Sequence, residues 1–140
     1  MRYWDSSALL PLLAVEPSTE RRKAHLQEDP AILTWWGSRI ECVSALSRLL
    51  REQRIGEKDY EQVLHDLEVL AAGWTEIQPT EKLRRRALRL LRVHPLRAAD
   101  ALQLAAALVG SGENPAALPL VSGDPRLNDA ARKEGFRLLP

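Results

Sequence analysis

Apolar positions along the 140-residue chain alternate between two rhythms, short compact runs and longer stretches in which every third or fourth residue is apolar. Arg2-Tyr-Trp-Asp5 predicts a short strand ending in an acid, and Ser6 can cap a helix whose inward face is Ala8, Leu9, Leu12 and Leu13. Pro17 and Ser18 interrupt that pattern, residues 18–28 predict a charged helix, and Pro30 ends it. Ala31–Trp35 is short and continuously apolar, as a buried parallel strand should be. A helix follows from Ser38 to Arg54, with Ile40, Val43, Leu46, Leu49 and Leu50 on one face and Gly56 closing it. Residues 57–72 predict an amphipathic partner that aligns Tyr60, Val63, Leu64, Leu67 and Ala71.

Gly73 leads into a third strand, Trp74–Ile77, and Thr80 caps a helix with Leu83, Ala87, Leu90 and Leu91 inward. Pro95 precedes a further helix reaching about Val109, on which Asp100 shares a face with Leu104, Ala107 and Leu108. Ala117–Val121 predicts a fourth strand, weakened by Pro119. Ser122-Gly-Asp124-Pro is a turn opening a helix through Ala131, and Phe136–Leu139 is a last strand. Strands alternating with helices imply an α/β fold: a three-layer α/β/α sandwich around a central, mostly parallel sheet of about four or five strands.

Composition agrees and adds one asymmetry. The length suits one domain spanning residues 1–140, and 45% hydrophobic with 28% charged residues is ordinary for a globular protein. The net charge of +1 hides a basic segment: residues 81–97 hold seven lysines and arginines against Glu81, leaving the remainder of the chain at −5. Cys42 is the only cysteine, which excludes an internal disulfide and a cysteine-based zinc site and suits a reducing cytoplasm. The apolar run Ser6–Val15 lacks the positive flank of a signal peptide, and no run reaches the ~18 residues of a membrane span.

The chemistry is carried by acids. In an open parallel sheet, functional groups collect outside the C-terminal ends of the strands. Asp5 ends the first strand, Glu41 begins the helix after the second, Asp100 begins the helix that feeds the fourth, and Asp124 follows that strand by three residues. Carboxylates about 5 Å apart repel by roughly 3 kcal/mol per pair at an effective dielectric near 20. Such a cluster raises its own pKa values or demands a cation. Oxygen-only ligation suits Mg²⁺ or Mn²⁺, and a site of that kind supports in-line hydrolysis of a phosphodiester. Each acid also has a structural reading: a turn residue for Asp5, a helix-dipole partner for Glu41 and Asp100, a helix cap for Asp124.

These residues stand in recognisable contexts. Tyr3-Trp-Asp5-Ser-Ser-Ala-Leu-Leu, Ser38-Arg-Ile-Glu41-Cys-Val-Ser-Ala-Leu, Leu96-Arg-Ala-Ala-Asp100-Ala-Leu-Gln-Leu-Ala and Val121-Ser-Gly-Asp124-Pro-Arg-Leu occur in the order and spacing of a PIN domain. Nearly the whole chain resembles the ribonuclease toxins of VapBC toxin-antitoxin pairs. The resemblance implies an endoribonuclease using Mg²⁺ or Mn²⁺, with Asp5, Glu41, Asp100 and Asp124 as metal-binding, catalytic acids. It also implies a cognate antitoxin protein whose segment lies in an apolar groove, and a homodimer. Ser6 falls where the family has a small hydroxyl residue beside the first acid, and Ser122 where threonine is frequent. Trp35-Trp36-Gly37 departs from a smaller or aliphatic run, and Gly123 stands where alanine is usual.

Competing readings leave their own signatures. A catalytically silent PIN-fold module would bind RNA or protein without cutting. A haloacid-dehalogenase-type phosphotransferase needs a second Asp two residues after the first, where this chain has Ser7, and a receiver domain wants a paired acid near the first strand and a suitably placed late lysine. Arg84, Arg85 and Arg97 are candidates for RNA phosphates, against the alternative of a solvated helix face. His25, His65 and His94 share no metal-ligand spacing and read as surface or packing residues; Cys42 reads as an inert buried thiol. Trp4, Trp35, Trp36 and Trp74 read mainly as core, with Trp35 and Trp36 bordering the crevice.

Overall fold

The computed structural model describes residues 1–139 and arranges them as five strands and seven helices. In chain order these are β1 (Arg2–Trp4), α1 (Ser6–Leu13), α2 (Thr19–Glu28), β2 (Ile32–Trp35), α3 (Ser38–Arg51), α4 (Glu57–Ala72) and β3 (Thr75–Ile77). There follow α5 (Glu81–Val93), α6 (Ala98–Gly110), β4 (Leu120–Val121), α7 (Pro125–Lys133) and β5 (Leu138–Leu139). The strands form one all-parallel sheet in the order β3-β2-β1-β4-β5. The chain therefore steps outward from β1 through β2 to β3, then returns to the other side of β1, which makes the β1/β4 junction the switch point where such sheets form a crevice.

Alternation along the strands builds two cores. Tyr3, Leu33 and Leu120 face α5, α6 and α7, joining Leu83, Leu90, Leu104, Leu108 and Leu127. Trp4, Ile32 and Val121 point the other way, onto Ala8 and Leu9 of α1, Cys42 of α3 and Leu67 of α4. Successive residues of β1, β2 and β4 thus supply opposite layers, as the period of two requires. The three-layer expectation holds, and the sheet is parallel throughout.

Several local expectations are corrected. Asp5, not Ser6, is the N-cap of α1, because its carboxylate is the group that reaches the Ser7 N–H. Helix α3 stops at Arg51 rather than Arg54, with Gln53 in left-handed backbone at φ 55°; Gly56 is the N-cap of α4 and not the end of α3. Ile40 faces outward, 61% exposed, while Cys42 and Leu46 fill the interior of α3. Leu91 is exposed as well, so α5 buries only Leu83, Ala87 and Leu90. The segment read as a strand from Ala117 begins with a 3₁₀ turn, Pro115–Ala117, and pairs only at Leu120–Val121, since Pro119 has no N–H to give the ladder.

The two halves of this account separate in a stability experiment. Leu104→Ala empties a fully buried position and should cost about 2–5 kcal/mol in urea unfolding, whereas Ile40→Ala should change stability by less than about 0.5 kcal/mol.

Candidate active site

Four helices begin at the C-terminal edge of the sheet, and each brings one of the expected acids there. Asp5 follows β1 directly and caps α1, accepting from Ser7 N at 3.3 Å and Ser7 Oγ at 2.9 Å. Glu41 lies in the first turn of α3. Asp100 lies in the first turn of α6, where its Oδ2 accepts from the Arg97 N–H at 3.2 Å. Asp124 follows β4 and caps α7, accepting from Leu127 N at 2.8 Å. Aspartate at a helix start is locally favoured by both capping and dipole, so the structural readings of these residues and their shared placement are both true.

The electrostatics distinguish them. Asp5 is 3% exposed, and burial pushes its carboxyl up to about 7 from an ordinary 3.8. Hydrogen bonds from Ser7 and Ser122 oppose that rise, and the charge of Glu41 adds to it. Burial likewise raises Glu41, with Ser6 and Gln103 opposing and Asp100 adding repulsion. Asp5, Glu41 and Asp100 thus form a chain of mutually repelling carboxylates, and none of the four acids joins an ion pair among the described residues. Asp100, although it shares a helix face with Leu104, Ala107 and Leu108, is only half-buried; Asp5 is the acid that the fold encloses.

A buried polar relay fixes the second acid. Ser6 Oγ donates to Glu41 Oε2 at 2.7 Å, and Gln103 Nε2 donates to Glu41 Oε1 at 3.1 Å and to Ser38 Oγ at 2.9 Å. The other end of that amide, Oε1, accepts from Tyr3 Oη at 2.7 Å. Thr34 Oγ1 donates to Trp4 O at 2.6 Å and sits 2.7 Å from Ser38 Oγ. Gln103, Ser38, Thr34 and Ser7 were absent from the sequence expectations. Gln103 alone had a visible signal, as the one polar residue within Ala101–Val109. Ser122 also has a position at the edge: its Oγ accepts from Asp124 N at 3.0 Å and lies 3.5 Å from Ser7 Oγ.

The remaining candidates divide. Arg97 is the N-cap residue of α6, at the acid edge. Arg84 is exposed on α5 and pairs with Glu81 at 2.9 Å; Arg85 is exposed on the same helix. Trp4, Trp35 and Trp74 are buried, whereas Trp36 is 45% exposed beside Ile40. Cys42 is buried with its thiol pushed up to about 12 by that burial and by Glu41 and Asp5, which makes it inert. His94 bonds Glu134 at 2.6 Å, a packing role.

The donor chemistry fits a hard divalent cation: carboxylate oxygens only, buried or half-buried, mutually repelling and without a positive partner. The geometry is open, since among the described residues no three histidine, cysteine, aspartate or glutamate side chains converge on one point, and Asp124 is turned toward its own helix.

Comparison with known proteins places this arrangement. A family model described as PIN domain matches residues 2–133. Ribonucleases VapC45 and VapC49 of Mycobacterium tuberculosis, from strains CDC 1551 / Oshkosh and ATCC 25618 / H37Rv respectively, are each 30% identical over 138 residues. The match covers 99% of this chain and 94% of either relative. Among solved structures, FitAcB from Neisseria gonorrhoeae superposes with a TM-score of 0.70 at 18% identity, covering 100% of this chain and 97% of that one. PAE2754 from Pyrobaculum aerophilum gives 0.63 at 20% identity, covering 99% and 89%. At those identities the structural likeness concerns the fold.

The burial of Asp5 has a pH signature. Between about pH 4 and pH 7 the folded, metal-free protein holds a proton on Asp5 that the unfolded chain releases, so this residue's contribution to stability falls as pH rises. Urea unfolding in EDTA should show Asp5→Asn gaining on wild type across that window, by up to about 4 kcal/mol at its upper end. A difference that is flat with pH would contradict it.

Proposed function

Because the chain belongs to the PIN-domain family, we propose that its acid-lined sheet edge is the active centre of a metal-dependent endoribonuclease acting as the toxin of a toxin-antitoxin pair. The observation that carries this reading is Asp5, a carboxylate enclosed by the fold, beside Glu41 and with no cation paired to it. Uncompensated buried charge is retained where something else neutralises it.

Asp5, Glu41 and Asp100 would hold a Mg²⁺ or Mn²⁺ ion, with Asp124 completing the set once substrate is present. Such an ion supplies Lewis acidity at a phosphodiester and a more acidic water. The protein's own residues prepare for it. Ser7 fixes the orientation of Asp5 through two hydrogen bonds, and Ser6 and Gln103 hold both oxygens of Glu41. Ligand carboxylates held by second partners lose less freedom on binding, which is why such partners are worth about 10- to 100-fold in affinity or activity. The helix N-termini behind Asp5, Asp100 and Asp124 favour negative charge at this edge.

RNA is the substrate in this reading, with Arg97 at the edge and Arg84 and Arg85 on α5 available for its phosphates. The antitoxin partner has a matching surface: Trp36, Ile40 and Val43 line an apolar groove of about 550 Å³ on the same helix that carries Glu41. We further read residues 1–140 as a single domain, the protein as a homodimer and its compartment as the cytoplasm, which an unpaired thiol at Cys42 suits. Among the described residues no helix is long and apolar enough to cross a membrane.

Purified protein should cleave single-stranded RNA with added Mn²⁺ or Mg²⁺ and stop in EDTA. Asp5→Asn and Asp100→Asn should each lower the rate by on the order of a hundredfold or more. Wild-type rates in either variant, or RNA binding without products, would identify a non-cleaving module instead. Gln103→Leu should act as a positioning lesion: kcat down by about 10- to 100-fold, partly restored by raising the metal concentration. In cells, growth arrest should vanish with Asp100→Ala and with co-expression of the neighbouring small gene.

A further inference from the structure

One buried cation lies outside the acid relay. Arg22, on the charged helix α2, is 3% exposed, and its Nε and Nη1 are buried without a hydrogen-bond partner among the described residues. Burial lowers its guanidinium from the usual arginine value, with Arg21 adding to that and Asp5 and Glu16 opposing through space. It remains a cation, because arginine is not deprotonated in proteins. Such a group is costly to bury unpaired, and among the described residues no carboxylate forms an ion pair with it. The fold holds it there deliberately: Thr19, at the start of α2, ties the helix to α1 by donating to Pro11 O at 2.7 Å and accepting from Glu16 N at 2.9 Å.

Arg22 lines a pocket of about 460 Å³ together with Arg21, Ser7, Ser122, Gly123 and Asn128. That pocket adjoins the acid edge through Ser7, whose Oγ donates to Asp5 Oδ1 at 2.9 Å and accepts from Gly123 N at 2.8 Å. Gly123 borders this space, and a Cβ there would stand at ordinary contact distance, so a branched side chain would reach into it. A Cβ on it would lie 3.4 Å from Arg22 Nη2 and 3.5 Å from Ser7 Oγ, in the position where the resembling family usually carries alanine. The opposite polarity is present too, since Asn128 Nδ2 donates to Ser122 O at 3.2 Å while its Oδ1 is buried with no donor.

From this we propose that Arg22 and the pocket around Gly123 form a phosphate subsite, one that seats a backbone phosphate of the RNA strand next to the acid edge. An unpaired guanidinium matches phosphate oxygens, and the unfilled acceptor of Asn128 matches a ribose hydroxyl. The subsite sets Arg21 and Arg22 against one lining carboxylate, Glu16, and so is net positive where the acid edge is negative; a strand crossing the edge has one phosphate held while its neighbour faces Asp5. This rests on the nuclease reading for its biological substrate, though not for its binding chemistry.

The experiment uses the full chain in EDTA, so that neither metal nor turnover enters. Inorganic phosphate is titrated while the arginine Nε–H and backbone amide resonances are followed, and a labelled single-stranded RNA and the DNA of the same sequence are titrated by anisotropy. We expect saturable shifts at Arg22 Nε and Gly123 N, and tighter binding of RNA than of DNA. Phosphate and RNA should each bind about tenfold more weakly to Arg22→Gln, with Arg22→Lys between the two. Removing an unpaired buried charge should leave the melting temperature unchanged or raised, whereas a structural role for Arg22 would lower it. Gly123→Val, which fills the pocket and leaves Arg22 in place, should reproduce the binding loss. Wild-type binding in Arg22→Gln overturns the subsite, as does wild-type binding in Gly123→Val should Arg22→Gln fail to fold. If phosphate binds through Arg22 yet RNA is never cut, the nuclease reading fails and the subsite stands; if RNA is cut with unchanged kcat/KM in Arg22→Gln, the reverse holds.

Discussion

The structure turns on enclosing a carboxyl group at the end of β1. Asp5 is 3% exposed, directly after Tyr3 and Trp4, which are fully buried in opposite core layers, and Ser7, Ser122 and Glu41 surround its carboxyl group. That position costs free energy in the absence of a cation, and the surroundings are built to reduce the cost rather than remove it. Ser7 and Ser122 donate to the carboxylate, and the first turn of α1 supplies the Ser7 backbone N–H. No basic side chain forms an ion pair with Asp5 among the described residues, although Arg22 lies near enough for the two groups to attract through space.

The same logic explains why the helices start where they do. Four of the seven begin at this edge, each with an acid within its cap or first turn, so capping and site assembly are one device. A capping carboxylate stabilises its own helix and is held in a fixed orientation by it. Where more precision is wanted, as at Glu41, the fold adds a buried amide. Gln103 spans from Tyr3 on β1 to Ser38 and Glu41 on α3, and its burial makes every one of those bonds expensive to lose. Asp124 lacks such bracing and serves its own helix, accepting from Leu127 N.

Charge beyond the acids is segregated rather than mixed. The basic helix α5 spends much of its charge on intramolecular pairs, Arg84 with Glu81, Arg86 with Glu113 and Arg89 with Glu134, so its surface is less positive than its composition suggests. Arg22 is the reverse case, a single cation drawn into the interior where each contact counts for more. Its value lies in its position across Ser7 from Asp5, which brackets the sheet edge with opposite charges a short distance apart.

Much of this was legible from residue order. Periodicity located the five strands and seven α-helices, because period two and period 3.6 are local properties of the backbone; it missed boundaries decided by a neighbouring segment, as at Gly56 and Pro115, and the outward facing of Ile40 and Leu91. The four acids stood out because each lies at a strand-to-helix junction. What the sequence could not rank was burial. Asp100 stands on an apolar helix and Asp5 at the end of a short strand, yet Asp100 is half-buried while Asp5 is enclosed. The bond between Tyr3 and Gln103 spans 100 residues, and Arg22 reads like any other charge in Thr19–Glu28. Element order follows from local chemistry that each segment carries alone; which polar groups lose their water depends on distant segments packing together, and only the tertiary structure decides that.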